Sequence, residues 1–322
     1  MKCLYRALAA LAIVLAGADA ALAQGWPNRS IRMVVPYTPG GYTDLMARLV
    51  GQKISEALGQ PIVFENKPGA NAIIGTDVVA KAAPDGYTFG TVIAAHAANA
   101  TLNPKLPYDT LKDFTYVSLM SVAPLIMIAH PSLPANNVKE LIALLKASPG
   151  KYSYGSSGTG TIVHLASEML KASAGVDALH VPYKGSNPAT AAILGGEVTF
   201  VFSTMPPAIS NAKAGKLRAL AVTTAARVAP APEVPTMVEA GVPNFEIVLY
   251  SGILGPKGMD AALVRKLNAE FAKVVQAPEI KNVYENIGAD PLAMSPQEFQ
   301  KRTVDEIAKF GPVVKASGAK VD

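Results

Sequence analysis

Cysteine is almost missing from this chain of 322 residues: Cys3 is the only one, and it stands ahead of the first apolar stretch. Disulfides and thiol nucleophiles are therefore excluded from the body of the protein, and an oxidising compartment poses it no hazard. Charge is also scarce, at 16% of residues, and the Lys/Arg surplus forms no block of the kind that holds nucleic acid or lipid headgroups. Catalytic signatures are absent. Gly155-Ser156-Ser157-Gly158-Thr159 fails G-x-S-x-G at its fifth position, no G-x-x-x-x-G-K-[ST] occurs, and no G-x-G-x-x-G follows a strand-like run. His96, His130, His164 and His180 lie far apart in the sequence without metal-ligand spacing, and His96 alone is a candidate ligand-binding residue, since it follows the third strand-like run, where such sheets present ligands. No metal or cofactor is implied.

At the N-terminus, Lys2 and Arg6 precede the apolar stretch Leu8 to Gly17, and Ala21-Leu22-Ala23 gives a small-x-small end. This reads as an export signal over residues 1–23, cleaved after Ala23, with Gln24 as mature start. The stretch is too short to cross a bilayer, which takes roughly 20 residues, and no later apolar run reaches that length. Removing the signal leaves 299 residues and, as Lys2, Arg6 and Asp19 leave with it, a net charge of +4. That length suits two lobes, and the mild positive surplus suits an anionic small ligand.

Short apolar runs alternate with amphipathic segments, the pattern of an α/β protein with mostly parallel sheets. Ile31 to Tyr37 reads as a first strand and Asp44 to Leu58 as a helix, with Met46, Leu49, Val50, Ile54, Ala57 and Leu58 on one face and Gly59 as its stop. Two strands, Tyr116 to Val122 and Leu125 to Ala129, follow without a helix between them, and Phe245 to Leu254 is a second isolated strand. These mark two crossings between lobes. The expected organisation is a clamshell with a two-strand hinge, residues 24–124 and 249–322 forming lobe 1 and residues 125–248 forming lobe 2.

Two strand-to-helix loops carry the candidate chemistry. In Pro39-Gly40-Gly41-Tyr42-Thr43-Asp44, two glycines allow close backbone approach, Thr43 or Asp44 can cap the helix, and the helix start favours an anion. The second loop, Gly155 to Thr161, offers many neutral donors and no charge: Ser156, Ser157, Gly158, Thr159, Gly160 and Thr161.

Val34-Val35-Pro36-Tyr37-Thr38-Pro39-Gly40-Gly41, Asn66-Lys67-Pro68-Gly69-Ala70, Ala83-Pro84-Asp85-Gly86-Tyr87-Thr88, His180-Val181-Pro182-Tyr183-Lys184-Gly185 and Pro235-Thr236-Met237 run in order along the chain. Together they resemble the tripartite tricarboxylate transporter receptors, also called Bug-type substrate-binding proteins. The resemblance implies a two-lobed periplasmic binding protein, a Venus flytrap of type II, that binds a small carboxylate between the lobes. It places Gly40, Gly41 and Thr43 on one side of the ligand and Ser156, Gly158, Thr159 and Thr161 on the other, with Tyr37 and Tyr183 lining the cleft, and Ser157 joins the second side as a donor of the same loop. Two departures bear on specificity. Tyr42 stands where many members carry serine or threonine, which would make one wall aromatic or narrower. Ser203 stands where many carry an aspartate able to pair with a ligand ammonium.

The implied function is a monomeric solute-binding receptor and not an enzyme, since no nucleophile–base pair or metal set is visible. Its implied partners are the carboxylate and the membrane permease subunits of a tripartite tricarboxylate transporter. The sequence leaves a membrane sensor kinase open as another docking partner and offers nothing for nucleic acid.

Overall fold

The computed structural model describes residues 25–319; the expected signal and the mature start at Gln24 lie outside them. The chain begins with three strand–helix units: β1 (Ile31–Val35), α1 (Tyr42–Leu58), β2 (Ile62–Asn66), α2 (Ile73–Ala80), β3 (Thr88–Val92) and α3 (Ala95–Leu102). β1 lies parallel between β2 and β3, with Val35 opposite Asn66 and Val34 opposite Gly90. On α1, Met46, Val50 and Ile54 are each at most 1% exposed, and burying each contributes roughly 1.5–3 kcal/mol. The buried face is narrower than the periodicity predicts: Leu49 and Leu58 are half-buried and Ala57 is exposed. Gly59 ends the helix in the left-handed conformation, φ 67°, as the sequence suggests.

β4 (Phe114–Ala129) is the spine. Its first part pairs antiparallel with β9 (Val248–Pro256), from Phe114 opposite Pro256 to Pro124 opposite Val248. From Leu125 onward its partners are β7 (Phe200–Thr204) and β8 (Arg218–Val222), also antiparallel. Tyr116–Val122 and Leu125–Ala129, expected as two strands, are therefore one. Pro124, the apparent break, sits where β4 changes partners, a position that tolerates a residue without an N–H.

The second half of β4 belongs to an α/β layer with α4 (Val138–Ala147), β5 (Ser153–Ser156), α5 (Ile162–Ala174), β6 (Leu179–Pro182), α6 (Ser186–Leu194) and α7 (Met205–Lys213). After β9 the chain adds α8 (Ala261–Val275), α9 (Pro278–Ile287), β10 (Asp290–Pro291) and α10 (Pro296–Ser317) to the first layer. Ser295 and Glu298 start α10 with a reciprocal capping box. The strand order is β2-β1-β3-β9-β4-β7-β5-β6, with β8 and β10 also paired to β4. Both halves of the sheet are mixed, since β4 and β9 run against their neighbours; "mostly parallel" holds only away from the hinge. The result is an α/β, two-lobed molecule joined by β4 and β9, with α10 lying against α5 across the lobes.

Two helices escape the sequence pattern. α3 is buried on nearly every side, including His96, Ala97, Ala98 and Asn99, so it shows no polar–apolar period. α7 opens with Met205-Pro206-Pro207, which reads as a turn but suits a first helical turn, where the N–H groups have no helical partner.

Candidate functional site

The loop after β1 is organised from within. Gly40 adopts φ 78°, open to glycine at no steric cost, and its N–H donates to Asp44 Oδ2 at 2.9 Å. Asp44 is 3% exposed. Arg48 Nε reaches both of its carboxylate oxygens at 3.0 Å, and Asn66 Nδ2 donates to Oδ1 at 2.9 Å. Asn66 also donates to the Tyr37 carbonyl at 3.0 Å and accepts from Arg48 Nη2 at 2.9 Å. Burial alone would raise the Asp44 pKa; the bonds from Arg48, Gly40 and Asn66 outweigh it and hold the carboxyl below its ordinary value. Asp44 therefore builds the loop, and its charge is spent on Arg48. No side chain caps α1. Among the described residues, the N–H groups of Tyr42, Thr43 and Asp44 have no partner, and they form the positive end of the helix dipole. Thr43 is buried at 4% exposure.

The loop after β5 is equally self-supporting. Ser156 is fully buried; its hydroxyl lies 2.6 Å from His180 Nε2 and 3.2 Å from the Gly158 carbonyl. Gly158 and Gly160 take φ 132° and 77°. Thr161 donates its hydroxyl to Gly158 O at 2.7 Å and accepts from His164 N as the cap of α5, and Ser157 Oγ donates to Thr161 Oγ1 at 3.2 Å. Gly160 N donates to His164 Nδ1 at 3.1 Å. Among the described residues, the Ser157 N–H and both the N–H and hydroxyl of Thr159 have no partner, nor do the N–H groups of Ile162 and Val163 at the helix start. Ser156 supports this surface from below, while Thr159 presents it.

Two of the histidines meet in the fold although their spacing gives no sign of it. His164 and His180, sixteen residues apart in sequence, stack with ring centroids 4.1 Å apart, and Tyr154 continues the column at 4.9 Å from His180. His96 instead packs between Tyr108, at 6.0 Å, and Phe114, at 5.1 Å. It is 3% exposed, and burial pushes its pKa down to about 4. It is a neutral core residue of lobe 1.

The remaining candidates separate into two sets. Tyr37 stays at the stem of the first loop, half-buried, and burial raises its phenol pKa. Tyr42 turns toward the hinge: its hydroxyl lies 2.9 Å from Ser121 Oγ on β4, so it is tied to the strand joining the lobes. Tyr183 points along lobe 2, its hydroxyl donating to Glu197 at 3.4 Å and its backbone N–H to Ser156 O at 3.0 Å. Ser203 sits in β7 opposite Ile126, 3% exposed.

What the sequence reading missed is the segment that joins the loops. Asn71 donates from Nδ2 to Gly160 O at 3.3 Å and to Asn99 Oδ1 at 3.0 Å, and Asn99 Nδ2 returns a bond to Asn71 O at 2.9 Å. The same segment packs on the stem of the first loop, since a Cβ on Gly75 would sit 2.6 Å from Pro36 Cβ. A cavity of about 330 Å³ lies elsewhere, between segments 224–230 and 285–290. Its one guanidinium, Arg227, is already paired with Glu239 at 2.9 Å, so it lacks the neutral donor set of the two loops.

Comparison with known proteins agrees with this architecture. The model of the "Tripartite tricarboxylate transporter family receptor" matches residues 46–319. Protein BugT of Bordetella pertussis is 36% identical over 321 residues, covering 98% of each chain. Among solved structures, Rpa4515 of R. palustris with adipate is 36% identical with a TM-score of 0.83, covering 92% of this chain and 99% of its own. MatC of Rhodopseudomonas palustris with bound malate is 30% identical with a TM-score of 0.80, covering 90% of this chain and 100% of its own. The chain belongs to the tripartite tricarboxylate transporter receptor family, whose solved members include periplasmic binding proteins, and it is a solute-binding receptor and not an enzyme.

Proposed function

We propose that this receptor captures a small carboxylate between the loops after β1 and β5 and delivers it to the membrane permease subunits of a tripartite tricarboxylate transporter. The observation that carries the reading is the pairing of two helix starts, at α1 and α5, with unpartnered N–H groups and the free Thr159 hydroxyl, while the nearby charges of Asp44 and Arg48 cancel each other. Such a site supplies several neutral donors to one carboxylate, each bond to the charged group contributing about 1.5–3 kcal/mol. Adipate and malate, bound by two relatives, are small dicarboxylates, the ligand class this donor set suits. Residues 24–124 and 249–322 form the lobe of the first loop and residues 125–248 the lobe of the second. The chain is exported to the periplasm with a signal removed after Ala23.

Isothermal calorimetry against succinate, adipate, malate, citrate and benzoate tests the binding. Micromolar or tighter affinity for at least one acid is expected, and no heat from any of them would overturn the assignment. N-terminal sequencing of the periplasmic protein checks the cleavage, with Gln24 expected first.

A further inference from the structure

Asn71 carries the bond that ties the two lobes together away from the hinge. Among the described residues, the only other side-chain bond between residues 25–124 or 249–319 and residues 125–248 runs from Lys309 to the Glu246 carbonyl, next to the hinge strand β9. The Asn71 bond instead links the β2–α2 loop to the loop after β5. It is made under backbone constraint. Ala70, Asn71 and Ala72 take φ of 45°, 49° and 75°, three consecutive residues other than glycine in the left-handed region. Each such residue is held there only where its surroundings over-determine it, and runs of this kind cluster at ligand clamps and switch regions. Here the surroundings are visible: Asn99, 1% exposed on α3, grips Asn71 from both sides, accepting from its side chain and donating to its carbonyl.

The acceptor on the other lobe is equally fixed. Gly160 gives its carbonyl to Asn71 and its N–H to His164 Nδ1. That glycine lies between Thr159, with its free N–H and hydroxyl, and Thr161, the cap of α5. A bond from lobe 1 to this carbonyl sets the height and tilt of the Thr159 donors relative to the start of α1.

We propose that Asn71 is a positioning residue of the cleft, whose amide draws the Thr159-bearing loop onto lobe 1 when the lobes close and so retards ligand escape. The proposal rests on the reading of this cleft as the carboxylate site. It requires an amide donor. Aspartate keeps the shape and the tolerance of positive φ but presents an oxygen to the Gly160 carbonyl; glycine keeps the backbone and deletes the donor.

The test combines two readouts. In a Cys3→Ser background, spin labels on exposed Lys105→Cys and Lys213→Cys report the interlobe distance by electron–electron resonance, with and without saturating adipate. Stopped-flow fluorescence reports adipate association and dissociation. Asn71→Asp and Asn71→Gly are both expected to shift the distance distribution toward longer values and to raise the dissociation rate about fivefold, with association changed less than twofold. Distances and dissociation rates unchanged in both variants would overturn the proposal. The two readings fail separately: if wild type binds no carboxylate, the functional assignment falls, while the ligand-free distances still decide whether Asn71 holds the lobes.

Discussion

The imidazole rings of His164 and His180 stack 4.1 Å apart, with planes 18° from parallel, directly under the loop that carries Thr159. Each ring nitrogen that meets this loop has a task there: His164 Nδ1 accepts the Gly160 N–H and His180 Nε2 meets the Ser156 hydroxyl. Protonating His164 at Nδ1 would put two donors against each other at Gly160.

Acid stability follows from that pair. Burial, then repulsion from His180, lowers the His164 pKa to about 3, and burial lowers His180 as well. In the unfolded chain both titrate near 6.5. Between these values the unfolded chain binds more protons than the folded one, so this stability is fully present above about pH 6.5 and is lost as pH falls toward 3. Melting temperature is expected to stay nearly level above pH 6.5 and to decline steadily below it. His164→Asn, whose amide oxygen can take the Gly160 N–H, should show a shallower decline. A profile superimposable on wild type would remove His164 from the explanation.

Ser156 and Thr159 should separate binding from folding. Ser156 is wholly buried and bonded to His180, whereas the Thr159 hydroxyl has no partner in the described chain. Ser156→Ala leaves buried groups unsatisfied, a cost of about 1–3 kcal/mol, and should lower the melting temperature of the ligand-free protein. Thr159→Val should leave that temperature nearly unchanged while weakening adipate or malate binding at least tenfold by calorimetry. Wild-type affinity in Thr159→Val would take this loop out of the site.

Ala72 offers a stability gain. It stands just before α2, at the N-cap, with φ 75°, ψ −3°, a left-handed conformation that costs a non-glycine residue roughly 1–2 kcal/mol. Glycine removes that strain but adds unfolded-chain entropy costing about 0.4–1 kcal/mol. Ala72→Gly should therefore stabilise the protein by about 0.5–1 kcal/mol, read as a higher denaturant midpoint with an unchanged slope. A lower midpoint would mean that the Ala72 methyl, 6% exposed, packs better than the backbone is strained.

Those effects mark the boundary of what the sequence discloses. The two-lobed fold was legible because α1 announces itself through its apolar period and its Gly59 stop, because two strand-like runs around Pro124 follow one another without a helix between them, and because the family motifs run in order. The two loops were legible from glycine and hydroxyl content. Their internal wiring was not. Nothing in the spacing of His164 and His180, or of Asn71 and Gly160, signals contact, because side chains brought together by tertiary packing leave no local period. Asp44 and Arg48 are the exception, an i, i+4 pair readable on a helix face. Tyr42 shows the converse: a residue placed in the cleft by its position in the loop is drawn to Ser121 by a hydrogen bond that only the folded hinge provides.

The last prediction concerns ligand charge. An ammonium group taken into a cleft without a counter-charge loses hydration that nothing replaces, at a cost of several kcal/mol. Ser203, where the family resemblance implies an aspartate in many members, is buried in β7. Asp44, the acid built into the first loop, already shares both carboxylate oxygens with Arg48 and gives one to the Gly40 N–H, so drawing it to a ligand amine would dismantle the loop. Malate and aspartate differ chiefly in a hydroxyl against an ammonium, which makes them a fair pair for the comparison. Malate, or whichever plain dicarboxylate binds best, is expected to bind at least a hundredfold more tightly than aspartate or glutamate. Ser203→Asp should narrow that gap from both sides, repelling the dicarboxylate and pairing with the amine. Calorimetry on the two proteins with the two ligands gives all four affinities. Tight binding of aspartate by wild type would show that Ser203 is not what excludes an amine, and an unchanged ratio in Ser203→Asp would place that side chain out of reach of the ligand.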